Sequence, residues 1–157
     1  MKKFIVLLTL VSVHLLVAPL FAQSPYSKAF GVRVGSANGL SYEQFFGRSN
    51  TAMEWLLVYR RGGARVIGMA KQYIPLTRHG EALLYFGLGG HAGMNGFLQP
   101  EDYNVPVVGI DAMAGLSYVF PYAPVILSVD LKPMVELYRG VQFSGNNAGV
   151  SLRFVID

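Results

Sequence analysis

Along VILSVDLKPMVEL (Val125 to Leu137), apolar residues take every second position. Leu127, Val129, Leu131, Pro133, Val135 and Leu137 alternate with Ser128, Asp130, Lys132, Met134 and Glu136. A period of two gives a β-strand with one apolar and one polar face. The same alternation returns along most of the chain. Ala29 to Gly35 sets Phe30, Val32 and Val34 against Gly31, Arg33 and Gly35. Leu83 to Gly93 sets Leu84, Phe86, Leu88 and Ala92 against Tyr85, Gly87, Gly89, His91 and Gly93. Val107 to Phe120 sets Val108, Ile110, Leu116 and Tyr118 against Gly109, Asp111, Gly115 and Ser117. Ala148 to Ile156 sets Val150, Leu152, Phe154 and Ile156 against Gly149, Ser151, Arg153 and Val155.

Three further strands alternate less cleanly. Leu40 to Phe46 opposes Ser41 and Glu43 to Leu40 and Tyr42. Ala52 to Arg61 is partly apolar on both sides, and in Ala64 to Ile74 the residues Ile67 and Met69 share the face of Lys71. Turn chemistry separates the strands at Ser36-Ala37-Asn38-Gly39, Gly47 to Asn50, Gly62-Gly63 and Pro121 to Pro124. Asn and Gly are suited to such turns because they tolerate positive φ. Met94 to Pro106 and Arg139 to Asn147 are predicted as the two longest loops. Eight strands without a helical crossover exclude a parallel α/β sheet and predict sequential antiparallel hairpins.

The N-terminus adds a different element. Met1-Lys2-Lys3, an apolar run from Phe4 to Leu20 and then Phe21-Ala22-Gln23 have the layout of a secretory signal peptide cut after Ala22. The rival reading is an uncleaved anchor, against which His14 and Pro19 interrupt the run. Residues 1–22 are therefore the expected signal peptide and 23–157 a single domain. Losing Lys2 and Lys3 takes the formal net charge from +4 to +2. No Arg/Lys cluster is interleaved with aromatics, so nucleic-acid binding is not expected. An exported chain with 0 cysteines has no disulfide framework and no thiolate chemistry.

A soluble barrel and a membrane barrel share the period, so the composition of the two faces must distinguish them. The polar face is rich in glycine and serine, with charges of both signs. Such a face suits a narrow, crowded lumen better than a water-exposed surface. The interior network expected from this face is Arg33, Glu43, Glu54, Lys71, His91, Asp111, Asp130, Lys132 and Arg153, with a structural role. Tyr42, Trp55, Tyr59, Tyr118 and Phe120 are expected near strand ends, as an interfacial aromatic belt. The predicted fold is all-β: an eight-stranded antiparallel up-and-down transmembrane β-barrel.

The segments GVRVG…NGLSYE, GLGGHAG, VVGIDAMAGLSYVFP and VSLRFVI, in this order, span the mature chain. In them the chain resembles the small eight-stranded outer-membrane β-barrels of Gram-negative bacteria. The resemblance implies insertion into outer-membrane lipid by the barrel-assembly machinery, which reads an aromatic residue at the end of the last strand. Phe154 has the right face for that, and the chain runs on to Asp157. Both termini would face the periplasm, with loops 94–106 and 139–147 outside as possible contacts for a surface partner.

Catalytic chemistry finds little support. His91 could pair with Asp111 or Asp130, which makes it an interior network histidine rather than a relay or ligand. His79 has no zinc spacing around it. Glu43 and Glu54 have Arg33, Lys71, Lys132 and Arg153 to neutralise them, so they do not read as an acid–base pair. His91 with Ser144 or Asp102 has no fixed geometry for nucleophilic catalysis. Eight strands leave a lumen that side chains fill, which argues against transport. The expectation is a non-enzymatic outer-membrane protein without cofactor, with a structural or surface-interaction role. The alternative is a secreted or periplasmic soluble β-barrel binding an apolar ligand.

Overall fold

The computed structural model describes residues 25–47, 49–60, 63–95, 105–137, 141–145 and 147–156. The expected signal peptide lies outside these residues, as do 96–104, 139–140 and 146 of the two expected loops. The strands are β1 (Lys28–Gly35), β2 (Asn38–Phe45), β3 (Thr51–Arg60), β4 (Gly63–Pro75), β5 (Ala82–Asn95), β6 (Val105–Val119), β7 (Val125–Leu131), β8 (Met134–Glu136), β9 (Gln142–Ser144) and β10 (Ala148–Val155). Every pairing is antiparallel. Since β10 pairs with β1 and β5 pairs with β6, the sheet closes on itself.

The ten strands make eight staves. Strands β7 and β8 keep one register against β6, where Gly115 faces Asp130 and Gly109 faces Glu136. The expected unbroken strand from Val125 to Leu137 is thus interrupted only at Lys132-Pro133, because proline has no N–H for the ladder. The Pro133 carbonyl still accepts from Ala112 N–H at 3.0 Å. Strands β9 and β10 form the eighth stave. Four steps from Ser144 to Ala148 face three from Met134 to Leu131, so the stave carries a one-residue bulge. The expected loop 139–147 is corrected here, since Gln142–Ser144 is strand.

Register can be followed once around the wall. Leu127 faces Leu152, which faces Val32, then Leu40, Leu57, Val66, Ala92 and Val108 in turn. Val108 O then accepts from Leu137 N–H, on the stave where the path began. Closure therefore staggers the sheet by the ten residues from Leu127 to Leu137. A stagger of this kind forces the strands to tilt by about 35–45° to the barrel axis.

All nine residues of that circuit are apolar, and all that are exposed at their strand positions point outward. Leu131 is 57% exposed and Leu88 69%. Among the described strand residues, Lys28 at the first position of β1 is the only outward Asp, Glu, Lys or Arg; for Arg60 only the backbone is described. Four outward polar residues are bonded in pairs: Thr51 Oγ1 donates to Gln72 Oε1 at 2.9 Å, and Tyr42 OH to Gln44 Oε1 at 3.1 Å.

Three expectations need adjustment. Asn38 and Gly39 belong to β2, and the positive φ of that turn falls on Gly35 (144°), whose N–H donates to Asn38 Oδ1 at 3.0 Å. Trp55 and Tyr42 face each other in mid-strand rather than at an end, and the Trp55 ring lies over Gly68, where a Cβ would meet it at 3.0 Å. Tyr59, Tyr118 and Phe120 do lie at or beside strand ends. The lumen, finally, is not filled by ions and glycine alone. Leu56, Ile67, Met69, Met113 and Ile126 are buried there, and Tyr26, Phe45, Tyr73 and Tyr85 stack in sequence with centroids 4.9, 5.0 and 5.2 Å apart.

Candidate functional site

The inward face of the staves carries three groups of ions. Glu43 on β2, Glu54 on β3, Lys71 on β4 and Arg153 on β10 form a quartet with two charges of each sign. Lys71 Nζ lies 2.6 Å from Glu43 Oε2 and 3.1 Å from Glu54 Oε2, and Arg153 Nη2 lies 2.5 Å from Glu54 Oε1. Serines complete the shell, with Arg153 donating from Nε to Ser41 Oγ at 2.8 Å and from Nη1 to Ser128 Oγ at 3.1 Å. Tyr26 OH and Tyr73 OH both donate to the Glu43 carboxylate, Tyr73 at 2.8 Å. Tyr26 precedes β1; burial first, and the Glu43 carboxylate second, push its phenol well above the usual range and keep it a neutral donor.

Tyr85 links the quartet to the second group. Lys71 Nζ lies 4.0 Å from its ring centroid, while its hydroxyl donates to Asp130 Oδ2 at 3.1 Å. Arg33 grips the same carboxylate with both Nη atoms, at 2.5 and 2.6 Å, a two-pronged geometry that a lysine could not supply.

The third group lies toward the other end. Asp111 takes His91 Nδ1 at 2.7 Å and Lys132 Nζ at 2.8 Å, while Arg65 Nη1 reaches Glu136 Oε1 at 2.8 Å. His91 therefore pairs with Asp111, the first of its two expected partners. All nine residues expected inside are buried there. Arg65 joins the network as the partner of Glu136, which the alternation of its strand already sets on the charged inward face. The signal for Arg65 was present, since it shares the parity of Ile67, Met69 and Lys71. Five cations (Arg33, Arg65, Lys71, Lys132, Arg153) thus meet five carboxylates (Glu43, Glu54, Asp111, Asp130, Glu136) among the described residues.

Long side chains fit this narrow interior because glycines face them. Lys71 is opposite Gly87, Arg65 opposite Gly93, His91 opposite Gly109 and Tyr85 opposite Gly115. A Cβ on Gly115 would meet the Tyr85 ring at 2.6 Å, and one on Gly109 would meet His91 Cε1 at 2.5 Å. Each glycine leaves the volume its neighbour occupies.

No group of three or more His, Asp or Glu among the described residues is placed to hold a metal ion. Ser144 Oγ accepts from Asn147 Nδ2 at 3.2 Å, and Asp102 lies outside the described residues. Phe143, on β9, is strongly exposed. Compared with known proteins, the chain matches no family model, no curated protein and no solved structure.

Proposed function

We propose that this chain is an integral outer-membrane β-barrel with a side-chain-filled lumen, acting structurally or through surface contacts and not as a catalyst. The observation that carries the reading is the inversion of its faces. Among the described residues, five cations and five carboxylates pair inside, while the outward strand positions hold apolar residues around the whole girth and one charged side chain, Lys28, at a strand end. In water so large an apolar surface would drive association, since monomeric soluble proteins rarely expose patches beyond a few hundred Å². In a bilayer it is the favoured surface, and a closed barrel leaves no unpaired edge in the hydrocarbon. The export-type N-terminus and the outward Phe154 agree with delivery to the outer membrane and its barrel-assembly machinery. The connections between β5 and β6 (96–104) and between β8 and β9 (137–141) are then the segments available to a surface partner.

A soluble barrel carrying an apolar ligand would need the opposite assignment, with ions outside and an apolar lumen. Membrane fractions washed with alkaline carbonate separate the two readings. The protein should stay in the pellet until detergent is added; release by carbonate alone would overturn the membrane reading.

A further inference from the structure

The upper lumen contains a cavity of about 10 Å³, enough for the centre of one water-sized species. Its wall includes Arg33, Arg65, His91, Lys132 and Asn147, and no carboxylate. All five are more than nine-tenths buried. Three polar atoms of this wall have no hydrogen-bond partner: Arg65 Nε, His91 Nε2 and Asn147 Oδ1. They come from three different staves, and buried polar atoms are nearly always paired, so their convergence on one cavity points to a resident.

The nature of the resident follows from charge. Each cation of the wall already has a carboxylate behind it: Asp130 for Arg33, Glu136 for Arg65 and Asp111 for Lys132. His91 Nδ1 is also committed to Asp111, which leaves Nε2 for the cavity. With the imidazole neutral, a water suffices, accepting from Arg65 Nε–H and donating to His91 Nε2 and Asn147 Oδ1. With the imidazolium, Nε2–H becomes a second donor beside Arg65 Nε–H, and the five-to-five ion balance gains one positive charge. A small anion accepts from both donors and restores neutrality. Asn147 keeps its amide orientation in both states, because a half-turn would break the bond from its Nδ2–H to the Ser144 carbonyl oxygen at 3.2 Å. We propose that this cavity binds one small monovalent anion, of chloride's size, together with a proton on His91. The proposal concerns the lumen alone and holds whatever the outer face meets.

The test is the thermal unfolding midpoint of the purified, folded protein against sodium chloride. Ionic strength is held constant with sodium gluconate, whose anion is too bulky for the cavity. Because the anion and the proton are taken up together, chloride should raise the midpoint at pH 5.5 with an apparent affinity about tenfold or more above that at pH 8.5. His91→Gln should remove the difference between the two pH values. No response at either pH would mean a buried water only, and an equal response at both would mean chloride bound without the His91 proton; either result would overturn the proposal. If His91→Gln does not fold, crystals of the unmodified protein in bromide at pH 5.5 decide the matter. An anomalous peak between Arg65 Nε and His91 Nε2 supports the site, and its absence overturns it.

Discussion

Arg153 is fully buried, and its charge is tolerable only because Glu54, Glu43, Ser41 and Ser128 surround it. Removing one member of such a group leaves its partner charged and dry. Arg153→Met should therefore lower the unfolding free energy by about 3–5 kcal/mol, measured by urea titration of the protein refolded in detergent micelles or vesicles. The double variant Arg153→Met with Glu54→Leu should recover much of that loss, because exchanging both charges for apolar groups also removes their desolvation penalty. Glycine at the lumen obeys a packing rule of the same sharpness. Gly115→Ala drives a methyl into Tyr85 and the Val129 carbonyl and should cost about 1–3 kcal/mol in the same assay. Gly90, on the outer face, would bring a Cβ only to 3.2 Å from the Gly109 carbonyl oxygen, so Gly90→Ala should cost less than Gly115→Ala.

Within a stave, function depends on which side of the sheet a position falls. Leu131 and Asp130 are adjacent in β7, yet one is outward and the other is held by Arg33 and Tyr85 in the lumen. If the outer face meets hydrocarbon, Leu131→Arg should cost about 2–4 kcal/mol. The measurement is folding into lipid vesicles, and a cost near zero would mean that this face meets water. The two interrupted staves show how local chemistry edits a simple alternation. Pro133 breaks the ladder while leaving its register, so residues on both sides keep their faces. The bulge between Ser144 and Ala148 brings Asn147 N-terminal to β10 in the correct phase for Arg153 and Ser151 to point inward.

At the scale of the molecule, closure is what converts alternating strands into a stable object, since it leaves β1 and β10 paired with each other instead of exposing two edges. The lumen is then sealed by the aromatic stack from Tyr26 to Tyr85 and by the three ionic groups. A barrel held in this way should resist detergent until heated. The purified protein should migrate faster on a cold dodecyl sulfate gel than after boiling; identical migration would count against a closed barrel persisting in detergent.

Eight staves, their order and the inward side of nearly every one were legible from the period of two, because a pleated strand separates neighbours onto opposite faces. Glycine and mixed charge on the same parity also announced a crowded, electrically balanced interior. Where both parities were apolar, as in β3 and β4, the pattern lost its contrast: Ile67 and Met69 fell on the face of Lys71 as a poor match, and Arg65 was not placed in the network. Which ions pair could not be read from the chain at all. Arg33 and Asp130, or Arg153 and Glu54, lie about a hundred positions apart, and only the stagger of the closed sheet sets them opposite one another. The cavity beside His91 has the same origin. Its walls come from segments distributed over most of the chain, brought together by the circumference of the barrel.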